Sequence, residues 1–185
     1  MSEVCVRVAV RVRPLLPREV LHHHRVCVRV VPGSAQLMLG SDRLFSFDHA
    51  FGPAASQDDV YESCVQHLVK AAVDGYNATV FCYGQTGSGK TYTLGGRNPE
   101  GGLIDRIARD LFVLVEDKTK SDDAEKVTVH VSYMELYKDE LRDLLELPTI
   151  HKELFIREDE RGNTGDERPW INIFLVSFYI IKWIG

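Results

Sequence analysis

The fold of this chain is decided by the stretch Gly84-Gln-Thr-Gly-Ser-Gly-Lys-Thr91, which fits the pattern GxxxxGK[ST]. Glycines at this spacing let the backbone curl so that successive amide groups point inward at a phosphate. Lys90 can reach the terminal phosphates, and the Thr91 hydroxyl can bind a Mg²⁺ ion that bridges phosphate oxygens. The predicted phosphate-binding residues are Gly84, Gln85, Thr86, Gly87, Ser88, Gly89, Lys90 and Thr91, with Thr91 as the Mg²⁺ contact.

The segments on either side of this loop alternate between strand and helix patterns, which predicts an α/β fold. Valine and alanine alternate with arginine in the first strand, and apolar residues recur every three or four positions in the helices. The predicted strands are residues 4–13, a small β-meander within 26–47, a buried parallel strand at 77–83, and 127–133. The predicted helices are residues 60–75, 103–115 and 136–145.

Several polar residues and glycines mark where these helices begin and end. Ser56 and Asp59 form a capping-box pattern before the first helix, and Gly75 is placed to end it. Asp105 suits the first turn of the next helix as a carboxylate near a helix N-terminus. Asp117 could imitate the end of a metal-binding strand, but the helical spacing around it favours a helix.

Composition excludes several classes of protein. A net charge of −5 gives no global basic field for nucleic acid or a membrane surface. Four widely spaced cysteines without a CxxC pair are typical of a reduced, intracellular protein. The apolar stretch at residues 171–184 is shorter than the roughly 18 residues of a membrane span. We therefore expect neither a nucleic-acid partner nor a membrane anchor.

Other candidate sites are weaker. Three adjacent histidines at 22–24 cannot all converge on one metal ion, so we expect a surface loop there. His130 alternates outward on its predicted strand, and residues 118–126 form a charged, solvated connection. The phosphate loop also lacks the GxGxxG pattern of dinucleotide-binding proteins.

Several separate motifs, in the right order, resemble a kinesin motor domain over about residues 4–163. Within the kinesins, the chain is most similar to the ciliary, Hedgehog-linked branch of the kinesin-4 group, a placement supported by LFIREDERGN. The matching stretches are VRVAVRVRPLL, FSFDHAFGPAASQDDVYE, YNATVFCYGQT, GQTGSGKTYT, GGLIDRIARDLF and VSYMELYKDELRDLL.

The resemblance implies a P-loop NTPase of kinesin type, with a mixed central sheet flanked by helices and incomplete in this chain. Residues 1–163 would be the N-terminal part of the motor domain and residues 164–185 an unmatched apolar tail. The implied ligands are ATP and Mg²⁺, and the implied partner is the microtubule. The implied location is the cytoplasm, on the microtubule cytoskeleton and in the cilium.

The resemblance also implies contacts to the base. The family motif RxRP, here Arg11, Arg13 and Pro14, packs against adenine and ribose, and a guanidinium can stack on a purine. Tyr92 matches the aromatic residue on the other face of the base. Taken from the residues alone, both arginines could equally be solvent-facing strand residues.

Two motifs that the resemblance leads one to expect, NxxSSRSH and DxxGxE, do not occur in these 185 residues. They position the γ-phosphate and sense its hydrolysis, so we expect weak ATP binding with little or no hydrolysis. We also expect an open sheet edge at residues 77–83 and marginal stability. The alternatives are a non-motor nucleotide-binding or interfering fragment, and a truncated gene product.

Overall fold

The computed structural model describes residues 6–95, 99–120, 127–138, 140–145, 157–158 and 164–165. These residues form a mixture of helices and small sheets, which agrees with the predicted α/β class. The helices are α1 (Pro17–Leu21), α2 (Gln57–Cys64), α3 (Gln66–Val73), α4 (Lys90–Leu94) and α5 (Leu103–Thr119). The strands are β1 (Ala9–Arg11), β2 (Val28–Val30), β3 (Gln36–Leu39), β4 (Arg43–Ser46), β5 (His49–Phe51), β6 (Met134–Tyr137), β7 (Glu140–Asp143), β8 (Arg157–Glu158) and β9 (Thr164–Gly165).

Strands β1 and β5 form a parallel pair, and Arg11 at the end of β1 reaches Thr93 in α4. Arg11 lies opposite Phe51 in the register, and the Val12 amide donates to the Phe51 carbonyl at 2.8 Å. The predicted first strand is thus present, although only three residues of it pair. The ladder ends just before Pro14, which has no amide hydrogen to extend it.

The connection between β1 and β5 contains the predicted β-meander. Strands β2, β3 and β4 pair antiparallel in that order, which confirms the prediction. Gly33 and Gly40 adopt positive φ angles of 70° and 66° at the two reversals. Glycine enters this backbone region without steric penalty, which is why turns favour it.

Helices α2 and α3 occupy the span predicted as one helix. Ser56 caps α2 through the predicted box: its hydroxyl accepts from the Asp59 amide at 3.0 Å, and its own amide donates to the Asp59 carboxylate at 2.7 Å. Val65 has φ −121° and ψ −39°, which interrupts the helix after Cys64. Gly75 follows the end of α3 with φ 101°, as predicted.

The core lies where α2 and α3 pack against α4 and α5. Leu94 from α4 and Ile107 from α5 meet in it, so the short helix after the phosphate loop is anchored by packing. Helix α5 extends to Thr119, beyond the predicted end at 115, and includes Asp117 as expected. Phe112, on the same helix, is 58% exposed. The buried apolar residues are Val60, Tyr61, Val65, Val69, Ala72, Val73, Leu94, Leu103 and Ile107.

The prediction of a buried parallel strand at residues 77–83 is wrong for the described part of the chain, where this segment belongs to no ladder. Val80 and Cys82 pack against the core, whereas Phe81 and Tyr83 are 68% and 96% exposed. A parallel strand is buried on both faces only when layers cover both of them. Here Val80 packs near Val69 of α3 and Ile107 of α5, and because the segment is in no sheet, the expected open sheet edge is not formed in the described residues.

Two further predictions are wrong. Residues 127–133 are outside any strand of the described residues, and Val131 is 71% exposed. The predicted helix at 136–145 is instead the antiparallel pair β6–β7, which reverses between Tyr137 and Glu140 with Lys138 at φ 49°. Leu136 and Leu141 lie opposite each other in this hairpin. A short apolar pattern is compatible with either a helix or a strand, so the spacing alone does not distinguish them.

Some sequence-based expectations fall on residues outside the description. The loop at 121–126, the tail at 171–184 and most of the region around the predicted boundary at 163 belong to this group. His22 to His24 lie in an exposed loop after α1, and His130 is exposed. Within the described ranges, no helix has the length and apolar character to cross a membrane.

Replacing Ile107 by alanine tests this core. We expect Ile107→Ala to lower the free energy of unfolding by about 2 to 4 kcal/mol, because it leaves a cavity between α5 and the helices that cover it. Phe112→Ala, on the exposed side of the same helix, should lower it by less than about 1 kcal/mol. Urea unfolding of the 185-residue chain measures both, and equal losses would contradict the observed face of α5.

Candidate nucleotide-binding site

The phosphate loop has the curled backbone that its glycines allow. Gly87 and Gly89 adopt φ angles of 79° and 100°, in the left-handed region that side chains disfavour. Gly89 is also the residue that precedes α4, and Leu94 anchors the far end of that helix in the core. The loop is therefore shaped by its glycines and held by the packing of the helix that follows.

Lys90 places its ammonium group over the loop rather than in solvent. Its Nζ atom donates to the Gly84 carbonyl at 2.5 Å and to the Gln85 carbonyl at 2.9 Å. The charge is therefore held near the loop by its own backbone oxygens. A bound phosphate would supply oxygens with a full negative charge to the same donor.

The residues present fit a triphosphate with Mg²⁺. The glycine-rich turn, the Lys90 ammonium and the exposed Thr91 side chain lie on consecutive positions at one end of α4. A Cβ atom added at Gly87 would meet no atom within 4 Å, so space is open above the loop there. A hydroxyl beside an ammonium and curled backbone amides is a donor set suited to phosphate oxygens and their metal ion.

Arg13 contacts the phosphate loop directly. Its Nε atom donates to the Gly87 carbonyl at 2.8 Å, and its two terminal nitrogens each donate to the Glu19 carboxylate at 2.7 Å. This pairing raises the pKa of Arg13 and, together with the Leu16 amide, lowers the pKa of Glu19 to about 2. Arg13 is thus held beside the loop by these bonds, with its side chain still 32% exposed.

Arg11 is tied to three neighbouring segments. Its guanidinium donates to Gln57 Oε1 at 2.7 Å, to Thr93 Oγ1 at 3.1 Å and to the Ala55 carbonyl at 3.1 Å. Burial lowers the pKa of Arg11. The same group lies 5.3 Å from the centre of the Tyr92 ring, a cation–π contact.

Tyr92 and Pro14 are the exposed members of the predicted base site. Tyr92 is 46% exposed, and Pro14 is exposed beside the fixed Arg13. A base stacked between the Arg11 and Tyr92 planes would separate them by roughly 7 Å, two contact distances. In this structure the guanidinium carbon of Arg11 lies 5.3 Å from the centre of the Tyr92 ring, so a base does not fit between the two side chains as they stand.

Comparison with known proteins agrees with this geometry. The family model described as Kinesin motor domain matches residues 11–165, which begin at the last residue of β1 and include the phosphate loop and α5. The chain belongs to the kinesin motor domain family.

Three relatives place the chain within the kinesins. Identity is 53% to Kinesin-like protein KIF27 of Homo sapiens, over 89% of this chain and 12% of the relative. Identity to Kinesin-like protein KIF7 of Mus musculus is 49%, over 88% of this chain and 12% of the relative. Identity to Chromosome-associated kinesin KIF4A of Homo sapiens is 41%, over 84% of this chain and 13% of the relative. The predicted placement is confirmed, and the chain spans about an eighth of the length of these kinesins.

Sequence reasoning missed two residues of this kinesin site. Glu19 holds Arg13, and Gln57 holds Arg11, yet neither stands inside a phosphate-binding pattern. Glu19 sits at the third position of α1, where it also accepts from the Leu16 amide at 2.8 Å. An acidic residue two positions after Pro17 was the available signal, since it suggests a capped helix start.

The Arg13–Glu19 pair makes a pH-dependent contribution to stability. Because folding lowers the pKa of Glu19 from 4.5 to about 2, the contribution is complete above about pH 4.5 and is lost as the pH falls toward 2. At neutral pH we expect the urea midpoint of wild type to be higher than that of Glu19→Gln. The difference between the two midpoints should shrink as the pH falls from about 4.5 toward 2. Glu62→Gln, an exposed change on α2, is the control. A gap that stays constant down to about pH 3 would contradict the pairing.

Proposed function

We propose that this chain is the ATP-binding part of a microtubule-based kinesin motor. The observation that carries the proposal is the Lys90 ammonium, held over a curled glycine loop by the carbonyls of Gly84 and Gln85. Arg13 also contacts the loop, by donating to the Gly87 carbonyl. Membership of the kinesin family supports ATP as the nucleotide.

Each residue of the site has a proposed part in binding. The loop amides and Lys90 hold the β- and γ-phosphates, while Thr91 contributes its hydroxyl to the metal. Thr91 is the residue that would hold Mg²⁺, and the ion bound with ATP would offset the negative charge of the phosphates. Tyr92 provides a stacking surface for the base, and Arg11, Arg13 and Pro14 are the further proposed contacts to adenine and ribose.

The proposed activity of this chain is binding rather than turnover. Phosphoryl transfer requires groups placed around the γ-phosphate, and the two motifs that kinesins use for this are absent from the 185 residues. Microtubules are the proposed partner of the whole protein, which would place it on the cytoskeleton. Family membership supports that partner, since the relatives are kinesins of far greater length.

A binding measurement with Lys90→Ala tests the proposal. Fluorescence anisotropy of a labelled ATP analogue with Mg²⁺ should show binding by wild type. The variant should bind at least about 30-fold more weakly, because it removes the charge that pairs with the phosphates.

Lys70→Ala is the matched control, because Lys70 is an exposed lysine on α3. It should change the affinity by less than about twofold. Equal affinity of wild type and Lys90→Ala would contradict the proposed site, as would weaker binding in the Lys70 variant than in the Lys90 variant.

A further inference from the structure

Gln57 is a buried side chain beside the site that no phosphate-binding pattern accounts for. It is the first residue of α2 and only 2% exposed. A buried amide is destabilising unless its donors and acceptor find partners, so its bonds show what it holds in place.

The amide of Gln57 links three separate segments. Its oxygen accepts from Arg11 at 2.7 Å, and its nitrogen donates to the Tyr92 carbonyl at 2.7 Å and to the Gly101 carbonyl at 3.3 Å. One side chain therefore joins strand β1, helix α4 and the loop that enters α5. Both ends of the amide are used, which fixes its orientation.

These bonds hold the Tyr92 backbone and the guanidinium that lies beside its ring. Gln57 holds the Tyr92 backbone from one side, and through Arg11 it holds the guanidinium that lies against the ring. Arg11 is also fixed to Thr93, in the same turn of α4. A stacking surface that is already oriented loses less freedom on binding than a mobile one.

The phosphate loop is held by a different set of contacts. Lys90 bonds to Gly84 and Gln85, and Arg13 bonds to Gly87. The three hydrogen bonds described for the Gln57 amide go to Arg11, Tyr92 and Gly101, not to these loop residues. The base side and the phosphate side of the site are thus positioned by separate bonds.

We propose that Gln57 is a positioning residue for base recognition: it sets the Tyr92 ring, through Arg11 and the Tyr92 carbonyl, to stack on the base of the bound nucleotide. This inference rests on the proposed function, because it assigns a role at the same nucleotide site. It divides the affinity for ATP into a base-dependent part that needs Gln57 and a phosphate-dependent part that does not.

The test compares two ligands that differ in having a base. Mg-ATP and Mg-tripolyphosphate are titrated into the 185-residue chain by calorimetry, with wild type, Gln57→Glu and Gln57→Leu. Gln57→Glu keeps the shape and the acceptor for Arg11 but removes the donor to Tyr92 and Gly101. Gln36→Glu makes the same chemical change on strand β3 and should alter neither affinity by more than about twofold.

We expect each Gln57 variant to weaken Mg-ATP binding about tenfold, within the range of base stacking on an aromatic side chain. Binding of Mg-tripolyphosphate should change by less than about twofold. An equal loss for both ligands, or unfolding of both variants in circular dichroism, would show a purely structural residue and overturn the inference. Unchanged affinity for both ligands would also overturn it.

The proposed function fails in a distinguishable way. Wild type would then bind neither Mg-ATP nor Mg-tripolyphosphate, and the inference would fall with it. Wild-type binding of both ligands together with an unselective effect of the Gln57 variants would overturn the inference alone.

Discussion

The contacts on which the site depends are those between strand β1 and the region around the phosphate loop. Arg13 reaches the Gly87 carbonyl in the loop, and Arg11 reaches Thr93 in the helix that follows. Arg11 is the last residue of strand β1, which pairs in parallel with β5, and Arg13 follows two residues later. A glycine-rich loop has high conformational freedom, so bonds from a fixed strand reduce the number of shapes it can take.

The two arginines differ in what holds them, and this separates the site into two parts. Glu19 neutralises Arg13 at the surface, on the phosphate side. Gln57 holds Arg11 in a part-buried position, on the side of Tyr92. A neutral amide suits the more buried arginine because it accepts a bond without a second buried charge, which would be expensive to desolvate.

Local patterns in the sequence were enough to predict the phosphate loop, the meander and the capped helix α2. Each of these depends on neighbouring residues, such as Ser56 with Asp59 or the glycines of the turns. The prediction of a strand at residues 77–83 was wrong because the burial of a strand depends on layers that come from elsewhere in the chain. The β6–β7 hairpin was predicted as a helix because its short apolar pattern is compatible with both a helix and a strand. The role of Gln57 could not be predicted from local patterns because its partners lie 35 to 46 residues away in the sequence.

Hydrogen–deuterium exchange of the 185-residue chain, with and without Mg-ATP, tests the central claim most directly. If β1 and the phosphate loop form one nucleotide site, Mg-ATP should slow exchange in peptides covering residues 84–94 and 11–19, and leave the meander at 28–46 unchanged. Slower exchange confined to other segments, or no change anywhere, would contradict the account.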